Sequence, residues 1–289
     1  MSLQTTKKII FIFYKKMRLG QHFLKNKEKI KKIINALEIS QSDFILEVGP
    51  GHGELTKEIL KKSKNKKVFV LGVEKDKKLA LKLRKEIKNK KFKILCRDIL
   101  KILPKIKNFL PENSNFKIVG NIPYYLTGKL LRILSELETK PVFSVFTLQK
   151  EVGERIVSKP PNNNKLSAIL NFWAEPKIIT YIPKNDFYPR PKVDSVVLKL
   201  ITKNQRPKID EKLYYKTVNI LFKQPRKTIL NNILLEFKIK NQKEKEELFQ
   251  KIQSLGINPL CRPQNIGENE IIQIANFLNA FNLKNSVIK

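Results

Sequence analysis

The stretch "FILEVGPGHGELTKEIL", residues 44–60, decides the fold. It opens on a run that is apolar on both faces of an extended chain, as in a parallel strand covered by helices. Glycines follow at alternate positions, Gly49, Gly51 and Gly53, and then Leu55, Ile59 and Leu60 fall on one helical face. A strand, a Gly-rich turn and an amphipathic helix in that order make a βα unit.

The unit recurs. Apolar, β-branched or aromatic runs return at "VFVLGVE" (68–74), "FKILCRDIL" (92–100), "FKIVGN" (116–121) and "VFSVFTL" (142–148). Helical patterns separate them, with Leu79, Leu83 and Ile87 on one face of 77–87. Leu130, Leu131, Leu134 and Leu137 do the same in 127–137. Strand–helix alternation with right-handed crossovers predicts a Rossmann-like, doubly wound, mostly parallel α/β sheet. Two later strands, "KIITYI" (177–182) and "SVVLKLI" (195–201), are close enough in sequence to form an antiparallel edge pair. After "TKNQRPK" (202–208) the strand signal stops, and the rest reads as four or five helices. The expected organisation is an N-terminal arm over 1–17, a catalytic α/β domain over 18–203 and a small all-helical domain over 204–289.

Charge restricts the partner. Lys and Arg number 59 against 26 acidic residues, a formal net charge of +33. Codon bias accounts for Lys over Arg, but not for base over acid, and a polyanion is the usual partner of such an excess. Nucleic acid fits better than a membrane surface. "IIFIF" (9–13) is too short to span a bilayer. Two cysteines, Cys96 and Cys261, and two histidines, His22 and His52, give no disulfide framework or metal-ligand spacing. The expectations are a cytoplasmic chain, without a metal, acting as a monomer.

The chemistry-bearing residues sit at strand ends. A Gly-rich turn after the first strand lets the backbone approach a ligand closely. Its spacing is G-x-G-x-G, and no phosphate-cradling Lys-Ser/Thr follows. Glu74 ends the second strand, where a carboxylate can accept from both ribose hydroxyls of an adenosine. Asp98 ends the third, where it can accept from an adenine amino group. Taken singly, each has an ordinary alternative: a structural turn, or a solvated acid. Taken together, Gly49, Gly51, Glu74 and Asp98 outline a pocket for an adenosine-containing cofactor, and the missing pyrophosphate cradle favours S-adenosylmethionine over a dinucleotide.

The fourth strand runs into "NIPYYLTG", residues 121–128. An adenine amine is a poor nucleophile because its lone pair is delocalised into the ring. Two acceptors on its hydrogens, the Asn121 side-chain oxygen and the Ile122 carbonyl, would favour a pyramidal nitrogen. Pro123 stiffens the turn. Tyr124 offers a ring face to a flipped-out base, worth on the order of 1–3 kcal/mol. An ordinary strand-to-helix turn is the competing interpretation of these four residues by themselves.

Eight blocks then carry a resemblance. They are "LGQHFL" (19–24), "EVGPGHGELT" (47–56), "VEKD" (73–76), "RDIL" (97–100), "NIPYYLT" (121–127), "LQKEVGERIVSKP" (148–160), "FYPRPKVDSVV" (187–197) and "RPQNIGENE" (262–270). With these the chain resembles the ribosomal RNA small-subunit adenine N6-dimethyltransferases, with the erythromycin-resistance RNA methylases as more distant cousins. The resemblance implies the S-adenosylmethionine-dependent methyltransferase fold. It also implies dimethylation of two adjacent adenines in the 3′-terminal hairpin loop of small-subunit rRNA, with the pre-assembled small ribosomal subunit as partner. It places His22 and Leu24 over the cofactor, beside Gly49, Glu74, Asp98 and Asn121. Phe187 falls where the family presents a second ring to the target base, although by itself it could equally be core. His22 and Tyr125 stand where the family often carries Asn. A large-subunit resistance methylase and a non-catalytic assembly or transcription factor on the same fold are the rival expectations. In the helical region, Lys223, Arg226 and Lys227 are candidate phosphate contacts that position RNA. A solvated helix end explains those three as well.

Overall fold

The computed structural model describes residues 21–286 except 113, with side chains up to Phe281. The arm expected over 1–17 lies outside the described residues, as do Leu19 and Gly20. The chain forms two compact units. One contains the residues up to Gly153 together with Pro176–Thr202, and the other contains Glu154–Glu175 and the residues from Lys203 onward.

The strands are β1 (Phe23–Leu24), β2 (Asp43–Val48), β3 (Phe69–Glu74), β4 (Phe92–Cys96), β5 (Asn115–Asn121), β6 (Phe143–Gln149), β7 (Ala174–Ile182), β8 (Phe187–Tyr188) and β9 (Ser195–Thr202). Seven of them form one sheet in the order β4-β3-β2-β5-β6-β9-β7. β2 pairs in parallel with both β3 and β5, β3 with β4, and β5 with β6, whereas β9 runs antiparallel to β6. This is the doubly wound sheet that the strand–helix alternation predicts. Every residue of β2 is buried, as a central strand covered on both faces requires.

Helices α1 (Lys27–Ala36), α2 (Glu54–Lys62), α3 (Lys77–Glu86), α4 (Ile99–Ile102) and α5 (Thr127–Glu136) belong to the same unit. Their starts are dictated locally. Asn26 accepts from the Glu28 and Lys29 amides, and Asp76 accepts from those of Lys78 and Leu79, as side-chain N-caps do. Gly53 opens α2 at a φ of 85°, a left-handed conformation that glycine adopts without steric cost. Ile33, Ile45, Ile59, Val70, Val119 and Val145 meet in the core of this unit.

β2 lies between β3 and β5, so the strand order reverses there. In an open α/β sheet the crevice at such a reversal, beyond the carboxyl ends of the strands, is where ligands bind. The register makes those ends level. Val48 pairs with both Val73 and Gly120, and Glu74 pairs with Cys96. Gly49, Glu74 and Asn121 therefore stand side by side at one edge of the sheet, with Asp98 two residues beyond β4.

The second unit is helical. It contains α7 (Lys165–Trp173), following α6 (Lys150–Val157), and then α8 (Glu211–Leu221), α9 (Ile229–Phe237), α10 (Gln242–Ser254) and α11 (Glu268–Ser286). Phe172 stacks on Tyr214 at 4.4 Å between ring centroids, and the Tyr214 hydroxyl donates to the Ala168 carbonyl at 3.1 Å. Asn163 Nδ2 donates to the Ile266 carbonyl at 2.8 Å. These contacts tie residues 154–175 to the later helices. The continuous 18–203 and 204–289 blocks do not separate this segment, because a helix following β6 has the pattern of any other crossover helix.

Candidate active site

A cavity of about 300 Å³ opens at the carboxyl tips of β2, β3 and β5, within the size range of small-molecule sites. His22, Gly49, Gly51, Glu74, Asp98, Asn121, Ile122, Pro123, Tyr124 and Phe187 all line it. Leu24 does not. It pairs with Phe187 across the short β1–β8 ladder, and its side chain joins the buried core. Successive strand residues face opposite ways, so Phe23 takes the cavity side and Leu24 the core side.

The Gly-rich turn is shaped by its left-handed backbone. Gly49 has a φ of 62°, and a Cβ built there would meet nothing within 4 Å. A side chain would therefore stand in open space that the bare backbone leaves to a ligand. At Gly51 a Cβ would lie 2.8 Å from the Phe23 ring, so β1 closes over the turn only because the side chain is missing. The Phe23 ring also meets His52 at 4.4 Å.

Glu74 is held at two points. Its Oε2 accepts from the Gly51 amide at 3.1 Å and its Oε1 from the Asp76 amide at 2.8 Å. A carboxylate has about four lone-pair sites, so capacity remains on each oxygen. Burial raises its carboxyl above the usual range, and the two amides only partly offset this. Asp98 accepts from the Leu100 amide at 3.0 Å as the N-cap of α4, and pairs with the Lys75 ammonium at 2.9 Å. Burial pushes the Asp98 carboxyl up, but Lys75 and the Leu100 amide together outweigh it and leave the group below its ordinary value.

Asn121 is oriented from outside the strand. Its Nδ2 donates to the His22 carbonyl at 2.6 Å, which leaves the amide oxygen as the free end. His22 is fixed in turn: its Nδ1 lies 2.7 Å from the Pro189 carbonyl. A carbonyl only accepts, so Nδ1 carries the hydrogen. The His22 ring stands 5.7 Å from that of Tyr124. The Tyr124 hydroxyl shares a 3.0 Å hydrogen bond with Ser195 Oγ. Burial raises the Tyr124 phenol above its ordinary value, the Ser195 hydroxyl works against this, and Asp194 adds to it. Phe187 is 4% exposed and belongs to both the cavity wall and the core.

Several lining residues were not singled out in the sequence. Lys75 and Arg97, each next to a strand-end carboxylate, reach the cavity, as does Lys129. These cations are lost among 59 basic residues, whereas Tyr125, noted in the sequence for standing where the family often carries Asn, lines the cavity as well. Glu47, one residue inside the β2 tip, is 1% exposed. Its Oε2 accepts from the Thr56 hydroxyl at 2.7 Å, while Oε1 has no partner among the described residues. Burial pushes its carboxyl up to about 7, with Glu54 and Glu74 adding to the effect. In the helical unit, Lys223, Arg226 and Lys227 lie exposed between α8 and α9, and Lys223 pairs with Glu236 at 2.8 Å. Among the described residues no group of His, Cys, Asp or Glu is arranged to hold a metal, and no helix is long and apolar enough to cross a membrane.

The doubly wound sheet, its Gly-rich first turn and the acceptors gathered at the strand tips define a methyltransferase of the α/β class. Comparison with known proteins narrows this. A family model described as ribosomal RNA adenine dimethylase matches residues 12–280, and the chain belongs to that family. It is 35% identical over 285 residues to ribosomal RNA small subunit methyltransferase A of Lactobacillus acidophilus, covering 93% of this chain and 94% of the relative. The protein of the same name from Caldanaerobacter subterraneus is 36% identical over 272 residues, covering 91% and 97%. The crystal structure of a dimethyladenosine transferase from Plasmodium falciparum shares the fold, with a TM-score of 0.73 at 23% identity over 89% of this chain and 98% of that one.

Proposed function

We propose that this protein transfers methyl groups from S-adenosylmethionine to the N6 amines of two adjacent adenines in the 3′-terminal hairpin loop of small-subunit rRNA, two to each base. The names of the relatives support the substrate, and the cavity supports the chemistry. One observation carries the proposal: the β2, β3 and β5 tips stand level around one cavity, with the Asn121 amide nitrogen held by the His22 carbonyl and its oxygen left as the free acceptor.

The residues present fit the donor. The open space at Gly49 admits a ligand against bare backbone, the remaining lone pairs of Glu74 suit a pair of vicinal hydroxyls, and Asp98 suits an exocyclic amine. Bound there, S-adenosylmethionine supplies a methyl group on a sulfonium, a good leaving group. Asn121 Oδ1 and the Ile122 carbonyl accept from the two hydrogens of the target amine and hold its lone pair toward the methyl. Pro123 restricts the turn that aims them. Tyr124 stacks on the extruded base, and Phe187 forms the wall behind it. No side chain is needed as general base, because the positively charged product nitrogen sheds its proton readily to water. The rate gain comes from placement.

In the helical unit, Arg226 and Lys227, with Lys223 exchanging Glu236 for phosphate, position the RNA without reading its sequence. An exposed ion pair is weak enough to be replaced in this way. The proposed setting is the cytoplasm, on the pre-assembled small subunit.

The test uses the purified chain, labelled donor, and small subunits lacking the modification beside large subunits. Label should enter small-subunit RNA only. Asn121→Ala should slow transfer by ~100-fold or more, the scale of losing one aimed polar group, with donor affinity kept within about tenfold. Label in large-subunit RNA alone would overturn the substrate. Donor binding with no label in either would favour a non-catalytic role.

A further inference from the structure

We propose that Ser195 is a positioning residue, whose hydroxyl acts through Tyr124 Oη to fix the plane of the ring on which the target base stacks. The proposal rests on the stacking role given to Tyr124 above. Tyr124 begins a single 3₁₀ turn, Tyr124–Leu126, which has no side-chain cap. Its ring is part-buried beside the cavity, and the turn itself does little to set how the ring lies. The constraint comes from 71 residues away. Ser195 Oγ lies 3.0 Å from the phenol oxygen, at the far end of the ring from the backbone. A tether at that point opposes tilting of the whole ring.

Ser195 is itself well placed to hold. It is fully buried, opens β9, and lies opposite Gln149 in the β6–β9 ladder. The residue before it is fixed from two sides: the Asp194 carbonyl accepts from the Lys150 amide at 3.0 Å, and Asp194 Oδ1 accepts from the Lys184 amide at 2.9 Å. Ser195 does not line the cavity, so it acts on the base only through Tyr124. A stacking platform oriented before the base arrives spares the ordering cost that a free rotor would incur on binding. Ser195 stands within "FYPRPKVDSVV", a block from which the site takes Phe187 and leaves the serine without a role.

The experiment is a double-mutant cycle on the full chain, with kcat/KM measured on unmodified small subunits and donor affinity measured by calorimetry. Ser195→Ala and Tyr124→Phe should each lower kcat/KM by about fivefold, the worth of one neutral hydrogen bond. The double variant should be no worse than either single one, because both remove the same bond. Donor affinity should not change, and Ser195→Thr, which keeps the hydroxyl, should transfer at close to the parent rate.

A Ser195→Ala loss of equal size in the Tyr124→Phe background would overturn the proposal, since the serine would then act independently of the ring. Parent-like transfer by Tyr124→Phe would also overturn it, and that variant leaves the strand untouched if Ser195→Ala should fail to fold. Failure of the underlying reading is separate. Tyr124→Ala at parental rate would show that no stacking occurs, whatever the serine variants do.

Discussion

The two ends of the parallel sheet use the same residue types in opposite ways. At the amino end, Lys117 Nζ binds Asp43 Oδ2 at 2.8 Å and the Glu38 carbonyl at 2.6 Å. Asp43 also accepts from the amide and the hydroxyl of Ser40, at 2.7 and 2.8 Å. Lys117 and Asp43 are buried and directed at each other. At the carboxyl end, Glu74 and Asn121 are anchored by backbone groups on one side and face a cavity on the other. A polar cluster whose members satisfy one another is part of the framework. One that is held firmly but keeps acceptor capacity toward empty space is prepared for a ligand. Burial alone does not distinguish them; the direction of the remaining lone pairs does.

The sharpest way to break this contrast is to remove one partner of the closed cluster. Lys117→Met leaves Asp43 buried without its counter-ion, and breaking a buried pair typically costs ~3–5 kcal/mol. Chemical unfolding should show a loss of that order, while donor affinity measured on folded protein stays at the parental value. A loss of donor affinity in that variant would mean that the two ends are coupled, and the distinction would fail.

Glu47 lies between the two cases, at the cavity end of β2 but outside the cavity lining, with one oxygen satisfied and the other not. Its carboxyl is raised from 4.5 to about 7 by burial. The folded state therefore keeps a proton that the unfolded chain releases. The resulting stability is fully present below pH 4.5 and is lost as pH rises through 7. Glu47→Gln keeps an acceptor for Thr56 and cannot ionise, so it should be more stable than the parent at pH 8 by about 3 kcal/mol. The difference should shrink toward pH 4.5. Unfolding curves at the two pH values check this, and a gap that does not depend on pH would show that Glu47 does not titrate in that window.

Much of this site was legible because strand ends are local. The alternation of apolar runs with helices gave the sheet, and the residue at the end of each run marked a tip: Gly49, Glu74, Asn121. Asp98 was legible too, although β4 stops at Cys96 and Asp98 caps α4 instead. What the sequence hid is contact between distant segments. Nothing local in "LGQHFL" says that the His22 carbonyl will orient Asn121, or that Pro189 will hold the His22 ring. The link from Tyr124 to Ser195 is hidden in the same way. β1 and β8 are two residues long, too short for any periodicity to announce. The burial of Leu24 follows from strand alternation, but only once β1 is known to be a strand.

The smallest expected effect tests the open end of the contrast directly. Glu74→Ala removes a carboxylate whose structural partners are two backbone amides, those of Gly51 and Asp76. If its main function were to secure the Gly-rich turn, the loss would appear in stability and the turn would loosen. If its spare lone pairs serve the ribose, the loss appears in the donor. Calorimetry should then show donor affinity falling by ~10–100-fold, as for hydrogen bonds to a charged group, with a smaller change in unfolding free energy than in Lys117→Met. Glu74→Gln separates the two roles further. It keeps one acceptor oxygen but puts a donor where an acceptor is needed, so it should recover stability before it recovers affinity. Recovery of both together would return Glu74 to the framework and leave Asn121 as the open acceptor of that edge.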